Sequence, residues 1–359
     1  MSVYVGSFLL IYIIGFFCKR AKSNSEESRN RKTKFFLVFA WIVLSAIEGL
    51  RAYTVGTDTP FYVRTFQVLA RQRYEIGYWT LMRLVRYITD NPTVLLTVCA
   101  LLTNGLFMIS IYKLSDDCYM SVFSFITLMF YFVSFNAVRQ SIAISMVVIA
   151  YYFIKAERLK SFILMIILAT LFHSSAIVGL LYLPIYFIRD KEFPKKIGIQ
   201  QDFIELIITW AIILAGYLLF ERIISIFSRA LPVYSHYLTS EYATATGGFQ
   251  RPLVYMAIYI CVVLFTEEFS AEKRMITIPL SIAVMFAFMH FKISAISRFM
   301  WYFDIISIFA IPYLFNNLRL RGKINPLFRL AVIAILVAFM FYNFKAGYMR
   351  VTDFKFFWQ

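Results

Sequence analysis

Long apolar runs alternate with short polar breaks along almost the whole chain, and no other feature limits its fold so strongly. The runs lie near residues 3–18, 35–50, 92–112, 119–135, 141–155, 161–173, 174–188, 203–220, 252–266, 276–291, 299–315 and 328–344. Across 359 residues, 61% are hydrophobic and 16% charged, more apolar surface than a water-soluble core can hide. The chain therefore reads as an integral membrane protein. A perpendicular span takes about 20 residues. The spacing predicts an all-α, multi-pass fold of about twelve transmembrane helices, with short, broken or re-entrant helices around 136–180.

The first run has no positive residue before it and is followed by the basic stretch KRAKSNSEESRNRKTK at 19–34. A cleavable signal peptide has the opposite charge order, so the expectation is a retained anchor with its N-terminus outside. Alternation then puts 19–34, 113–118, 155–160, 189–201, 267–275 and 316–329 inside. These segments hold 12 Lys and 9 Arg, whereas the rest of the chain holds 3 Lys and 12 Arg. Inside lysines suit a topology role. Outside arginines offer a planar fork for phosphate or carboxylate, although an arginine also anchors a helix end at the headgroups. The net charge of +16 fits attraction to anionic lipid, and no nucleic-acid motif occurs. Cys18, Cys99, Cys118 and Cys261 show no paired spacing and read as ordinary residues of the membrane core.

No linker or internal repeat divides residues 1–359, so one membrane domain is the economical reading. Two outside segments, 51–91 and 221–251, are long enough for structure of their own. In the first, RAYTVGTDTPFYVRTF gives a Gly56 turn and a Thr59-Pro60 helix start, and a second short helix is expected from Gly77 to Ile88 with Arg83 and Arg86 on one face. Both read as interfacial helices. The second segment carries Tyr234, His236, Tyr237 and Tyr242 before Gly247-Gly248; such rings suit sugar faces and also suit a membrane interface.

Polar residues stand where the apolar pattern leaves little room for loops. FVSFNAVRQSIAIS sets Asn136, Arg139 and Gln140 between two runs. If Asn136 caps the next helix, Arg139 is its third residue, at the positive end of the dipole, where an anion such as a lipid-linked phosphate or pyrophosphate would join it. Pairing of Arg139 with a carboxylate such as Asp58 is the alternative, and both can hold together. LATLFHSSAIVGL puts His173 at the same outer depth, with Ser174 and Ser175 beside it. It serves chemistry or merely bonds a carbonyl in a packed junction. Late in the chain, His290, Lys292, Arg298 and Asp304 lie in or near apolar runs; Arg298 and Asp304 are too far out of phase to pair directly, and intramembrane charge points first to function.

Three of these fragments, RAYTVGTDTPFYVRTF with the following EIGYW, then NAVRQSIAIS, then LATLFHSSAIVGLLYL, together resemble the EpsG family of bacterial membrane proteins, which are Wzy-like polysaccharide polymerases. The similarity is good over residues 40–185 and general beyond. The resemblance implies a GT-C-like fold and a glycosyl transfer outside the cytoplasmic membrane. Repeat units carried on undecaprenyl pyrophosphate would be joined into O-antigen, capsule or exopolysaccharide, in company with flippase and chain-length regulator proteins.

Chemistry outside the membrane agrees. Nucleotide sugars are absent there, so the donor carries its activation in a phosphate linkage, and the departing pyrophosphate needs Arg or metal. No outside Asp-x-Asp or carboxylate cluster offers a metal site; Asp116-Asp117 and Glu267-Glu268 fall on the inner side. No metal and no cofactor are expected. Arg139 and Arg298, with Arg51 assisting, are the candidates for the electrophilic role, and Gln140, His290 and His236 for further substrate contacts. Asp58 or His173 would be the general base for the acceptor hydroxyl. Asp58 also makes a serviceable helix cap. Tyr62, four residues on, would contact sugar or brace Asp58. A flippase for lipid-linked oligosaccharide is the main alternative, but it should line a path with polar residues at both depths and show two-fold internal similarity. A membrane acyltransferase would need its histidine in a tunnel open to the cytoplasm.

Overall fold

The computed structural model describes residues 1–21, 25–69, 74–190, 201–219, 222, 225–226, 250–266, 270–291, 293, 296–320, 322 and 324–359. Its described elements are all helical; the only bridges are two isolated ones, Arg51 with Phe356 and Thr266 with Leu318. The chain forms two compact units, residues 1–180 with 323–359, and residues 181–322.

The first unit opens with α1 (Ser2–Arg20) and α2 (Glu26–Gly49). Ser25 caps α2 by accepting from the Ser28 amide, and Glu26 and Glu27 favour its positive end. Two short helices follow, α3 (Thr59–Val68) and α4 (Ile76–Ile88), within a residue of the expected starts. Next come α5 (Pro92–Leu114), capped by Asn91 with proline in its first turn, and α6 (Cys118–Thr127), capped by Asp117. The apolar run at 119–135 is not one span. It breaks at Met129, whose φ is 70°, and continues as the single turn α7 (Phe130–Val133) before α8 (Val138–Lys155). Then come α9 (Leu159–Thr170) and a 3₁₀ segment, Ser174–Tyr182, so the expected irregularity within 136–180 is present.

In the second unit lie α10 (Leu183–Ile188), α11 (Gln201–Leu218), α12 (Gln250–Phe265), α13 (Ala271–His290), α14 (Ser297–Asp304) and α15 (Ser307–Asn316). Its aromatic core includes the stacked pair Phe286 and Phe303, and Tyr182 donates to the Tyr302 carbonyl at 2.6 Å. The chain then re-enters the first unit as α16 (Ile324–Lys345) and a tail that includes the 3₁₀ turn Tyr348–Arg350.

Six of the described helical stretches are long and apolar enough to cross a membrane: Ser2–Arg20, Pro92–Leu114, Val138–Lys155, Ala271–His290, Ser297–Asn316 and Ile324–Lys345. Five shorter apolar stretches accompany them. This is a membrane protein, with fewer full-length spans among the described residues than the twelve apolar runs suggest.

Candidate active site

Arg51, just past the end of α2, is 1% exposed. Its Nη1 donates to the Glu48 carbonyl, Nη2 to the Phe135 carbonyl at 3.0 Å and Nε to Thr59 Oγ1 at 3.4 Å, while the guanidinium lies 4.9 Å from the Phe135 ring centre. Burial of a cation is tolerated only with such saturation. Arg51 therefore joins α2, α3 and the break after α7. Its three bonded nitrogens all face the protein, in the manner of a structural staple.

The turn that follows is fixed from two sides. Gly56 has φ +95°, and a Cβ there would stand 2.8 Å from Thr59 Oγ1 and 3.1 Å from Asn136 Oδ1, so a side chain is excluded by both backbone and space. Asn136 Oδ1 accepts from the Thr57 amide, from Thr57 Oγ1 at 2.8 Å and from the Asp58 amide at 3.2 Å. Asn136 thus does not cap α8, whose N-cap is Ala137 without a side-chain bond; the sequence pattern marked the right residue for another task. Arg139 is accordingly the second residue of α8 rather than its third.

The tail after α16 closes the other side. The Gly56 amide donates to the Arg350 carbonyl at 3.1 Å, the Ala52 amide to the Lys355 carbonyl at 2.8 Å, and Asn136 Nδ2 to the Met349 carbonyl at 3.3 Å. Met349 and Arg350 both have φ of 53°, a left-handed conformation that non-glycine residues adopt at a cost.

Asp58 sits at the N-cap of α3, yet its side chain makes no cap bond. The carboxylate is exposed; among the described residues its hydrogen-bonding neighbour is Thr57 Oγ1, at 3.1 Å, whose single proton it shares with Asn136 Oδ1, so it faces solvent on a braced turn. One helical turn on, Tyr62 points inward and hydrogen-bonds with Arg139. Burial pushes the Tyr62 phenol up, Arg139 opposing through its charge and hydrogen bond and Asp58 adding to the rise. Burial raises Tyr78 well above the ordinary phenol value. Both are therefore neutral hydroxyls at physiological pH, not bases.

Arg139 is the centre of this cluster. Its guanidinium lies 4.6 Å from the Tyr74 ring centre and 6.0 Å from that of Tyr78, which in turn meets Tyr62 edge-on at 6.0 Å. Its ion pair is with Glu75, not Asp58. The other oxygen of Glu75 accepts from the Ser174 amide at 3.0 Å and Ser174 Oγ at 3.3 Å. Glu75 therefore links the start of α8 to the junction that carries His173, whose Nδ1 is 2.6 Å from Ser175 Oγ. The Arg139 and Glu75 side chains keep 18% and 21% exposure, so the pair lies at an opening rather than in a sealed core. Arg139 Nε and the Tyr78 hydroxyl are buried without a hydrogen-bond partner. Unmet buried donors of this kind are costly.

Nothing in composition marked Glu75, a single carboxylate before an amphipathic helix. The useful sign was its place in EIGYW, beside Gly77, whose amide donates to the Leu171 carbonyl at 2.7 Å and whose Cβ position is blocked by that same carbonyl. Gln140 is buried beside Arg139.

The remaining candidates belong to the other unit. His290 ends α13 and Arg298 stands in the first turn of α14, both partly buried. Asp304, at the end of α14, is fully buried, with Tyr255 and Arg251 as its electrostatic neighbours. His236 lies outside the described residues. Among the described residues, no three of His, Cys, Asp and Glu gather as a metal site would require.

A family model described as the EpsG family matches residues 34–356, nearly the whole chain. No curated protein matches the chain, and no solved structure does.

Proposed function

The chain belongs to the EpsG family, and from that premise we propose that it is a membrane glycosyltransferase that polymerises lipid-pyrophosphate-linked oligosaccharide repeat units at the outer face of the bacterial cytoplasmic membrane. Family membership suggests a polysaccharide polymerase-like function. The observation that carries the finer reading is the opening at Arg139. A guanidinium at a helix N-terminus, boxed by Tyr62, Tyr74 and Tyr78, pairs with one carboxylate and keeps a buried Nε without an acceptor. A pyrophosphate oxygen would meet the edge of the guanidinium that stays open beside Glu75, and the helix dipole adds to its binding.

In this scheme the acceptor sugar hydroxyl attacks the anomeric carbon of the donor. The carbon–oxygen bond to pyrophosphate breaks, and the pyrophosphate leaves with the bonding electrons, stabilised by Arg139. The hydroxyl proton passes to Asp58, whose carboxylate faces solvent on the Asn136-held turn, or to His173. Glu75 and Tyr62 position Arg139, and Arg51 positions the turn.

Cells whose chromosomal copy carries Arg139→Ala or Asp58→Asn test this. They are expected to lose polymer while single repeat units accumulate on lipid at the cell surface and the protein stays in the membrane. A flippase defect would trap the units inside. Normal polymer from both variants would overturn the assignment.

A further inference from the structure

Along the middle of α2 lies a groove of about 450 Å³, within the size range of specific small-ligand sites. Two helical stripes form it: Lys34, Leu37, Val38 and Trp41 on α2, and Gly105, Met108, Ile109, Tyr112 and Lys113 on α5. Both follow the three-and-four spacing of one helix face. At about 1.5 Å per residue, each stripe runs about 10–12 Å along its helix. Gly105 leaves room for the Trp41 indole, since a Cβ there would meet Nε1 at 3.1 Å; that indole donates to the Leu101 carbonyl at 2.9 Å. The groove is thus closed by tryptophan at one end.

The other end is cationic. Lys34 and Lys113 lie 5.5 and 5.7 Å from the centre of the same Tyr112 ring, and Lys113 is also 5.7 Å from that of Tyr152. Both ammonium groups are exposed, and neither pairs with a carboxylate among the described residues. Two ammonium groups within 6 Å of one ring make a local cationic patch suited to an anion. Meanwhile Val38 and Ile109 on the walls are about half exposed, at 49% and 51%. The site is therefore amphiphilic along its length: two cations, then an apolar channel.

We propose that this groove binds one anionic phospholipid, its phosphate between Lys34 and Lys113 and an acyl chain lying along α2 and α5 towards Trp41. The lipid comes from the leaflet that the lysine ends of these helices face, which the charge pattern of the sequence marks as the cytoplasmic one. A zwitterionic lipid fills the channel but brings its own cation next to the lysines, which offsets the attraction of its phosphate. This site is independent of the Arg139 cluster.

Trp41 serves as the reporter. The full-length chain is reconstituted in phosphatidylcholine vesicles containing increasing phosphatidylglycerol with brominated acyl chains, and in a parallel series brominated phosphatidylcholine replaces it. Quenching assigned to Trp41 is the wild-type signal less that of Trp41→Phe. It is expected to half-saturate at about a 30-fold lower mole fraction of the anionic lipid, from about 1 kcal/mol for each of two lysines near a lipid surface. Lys34→Gln with Lys113→Gln should remove the preference and leave quenching by phosphatidylcholine intact. Molar salt should narrow it in the unaltered protein, since charges are then screened beyond about 3 Å. Equal half-saturation by the two lipids, or a preference that survives both the double variant and salt, would overturn the proposal. So would the absence of quenching by either lipid, which would mean that protein covers the groove.

Discussion

Replacing Asn136 with alanine should disarm the Asp58 turn while leaving the Arg139 cluster standing. One oxygen, Asn136 Oδ1, accepts from three donors of that turn. A net hydrogen bond contributes about 0.5–1.5 kcal/mol, and an oxygen shared three ways returns less than three full bonds. Thr57 and Asp58 are also exposed, so water replaces part of the loss. Together these give about 2 kcal/mol of local order, or roughly a 30-fold fall in the population of the poised turn. Glu75, Tyr62 and Tyr74 touch Arg139 without help from Asn136, so binding of the donor should change little. The assay is turnover of lipid-linked repeat units by purified protein in liposomes, with kcat and donor KM separated. The expected result is a 10- to 30-fold fall in kcat at nearly constant KM, partly restored by Asn136→Asp, which keeps the acceptor oxygen. Unchanged kcat in the alanine variant, or a loss confined to KM, would refute the link between this turn and catalysis.

Other substitutions should act differently. Arg51→Ala takes away the cation beside the buried Glu48 carboxyl, and should cost about 3–5 kcal/mol, read as a large drop in detergent Tm whatever the substrate. Gly56→Ala forces a Cβ against Thr59 at φ +95° and should cost about 1–3 kcal/mol with a matching fall in Tm. Tyr78→Phe removes a hydroxyl that has no partner, so Tm should hold or rise slightly while donor KM increases. A fall in Tm with unchanged KM would mean that the hydroxyl serves only the fold.

The membrane character and the helical class were legible because apolar runs and polar breaks obey the bilayer's length scale. The break inside the run at 119–135 was not, since Met129 turns the chain with a left-handed conformation that no glycine or proline announces. Asn136 and Arg139 stood out as polar residues with no loop to house them. Their partners did not: Glu75 is one carboxylate among many, and the bonds from Ala52 and Gly56 to the tail join backbone groups about 300 residues apart, which side-chain patterns cannot encode. Arg51 drew attention as a cation near the membrane, and its burial among carbonyls gives the fold a reason for it. Ser25, Asn91 and Asp117 carried their helix starts openly, because a cap is a local interaction.

The most direct measurement is product formation by purified, folded protein in liposomes supplied only with undecaprenyl-pyrophosphate-linked repeat units. The unaltered chain should yield a ladder of lengthening products, and both Arg139→Ala and Asp58→Asn should yield none while retaining their helical content and monodispersity. A ladder of wild-type length from either variant, or none from the unaltered chain under conditions where it remains folded, would contradict a polymerase built around the Asp58 turn and Arg139.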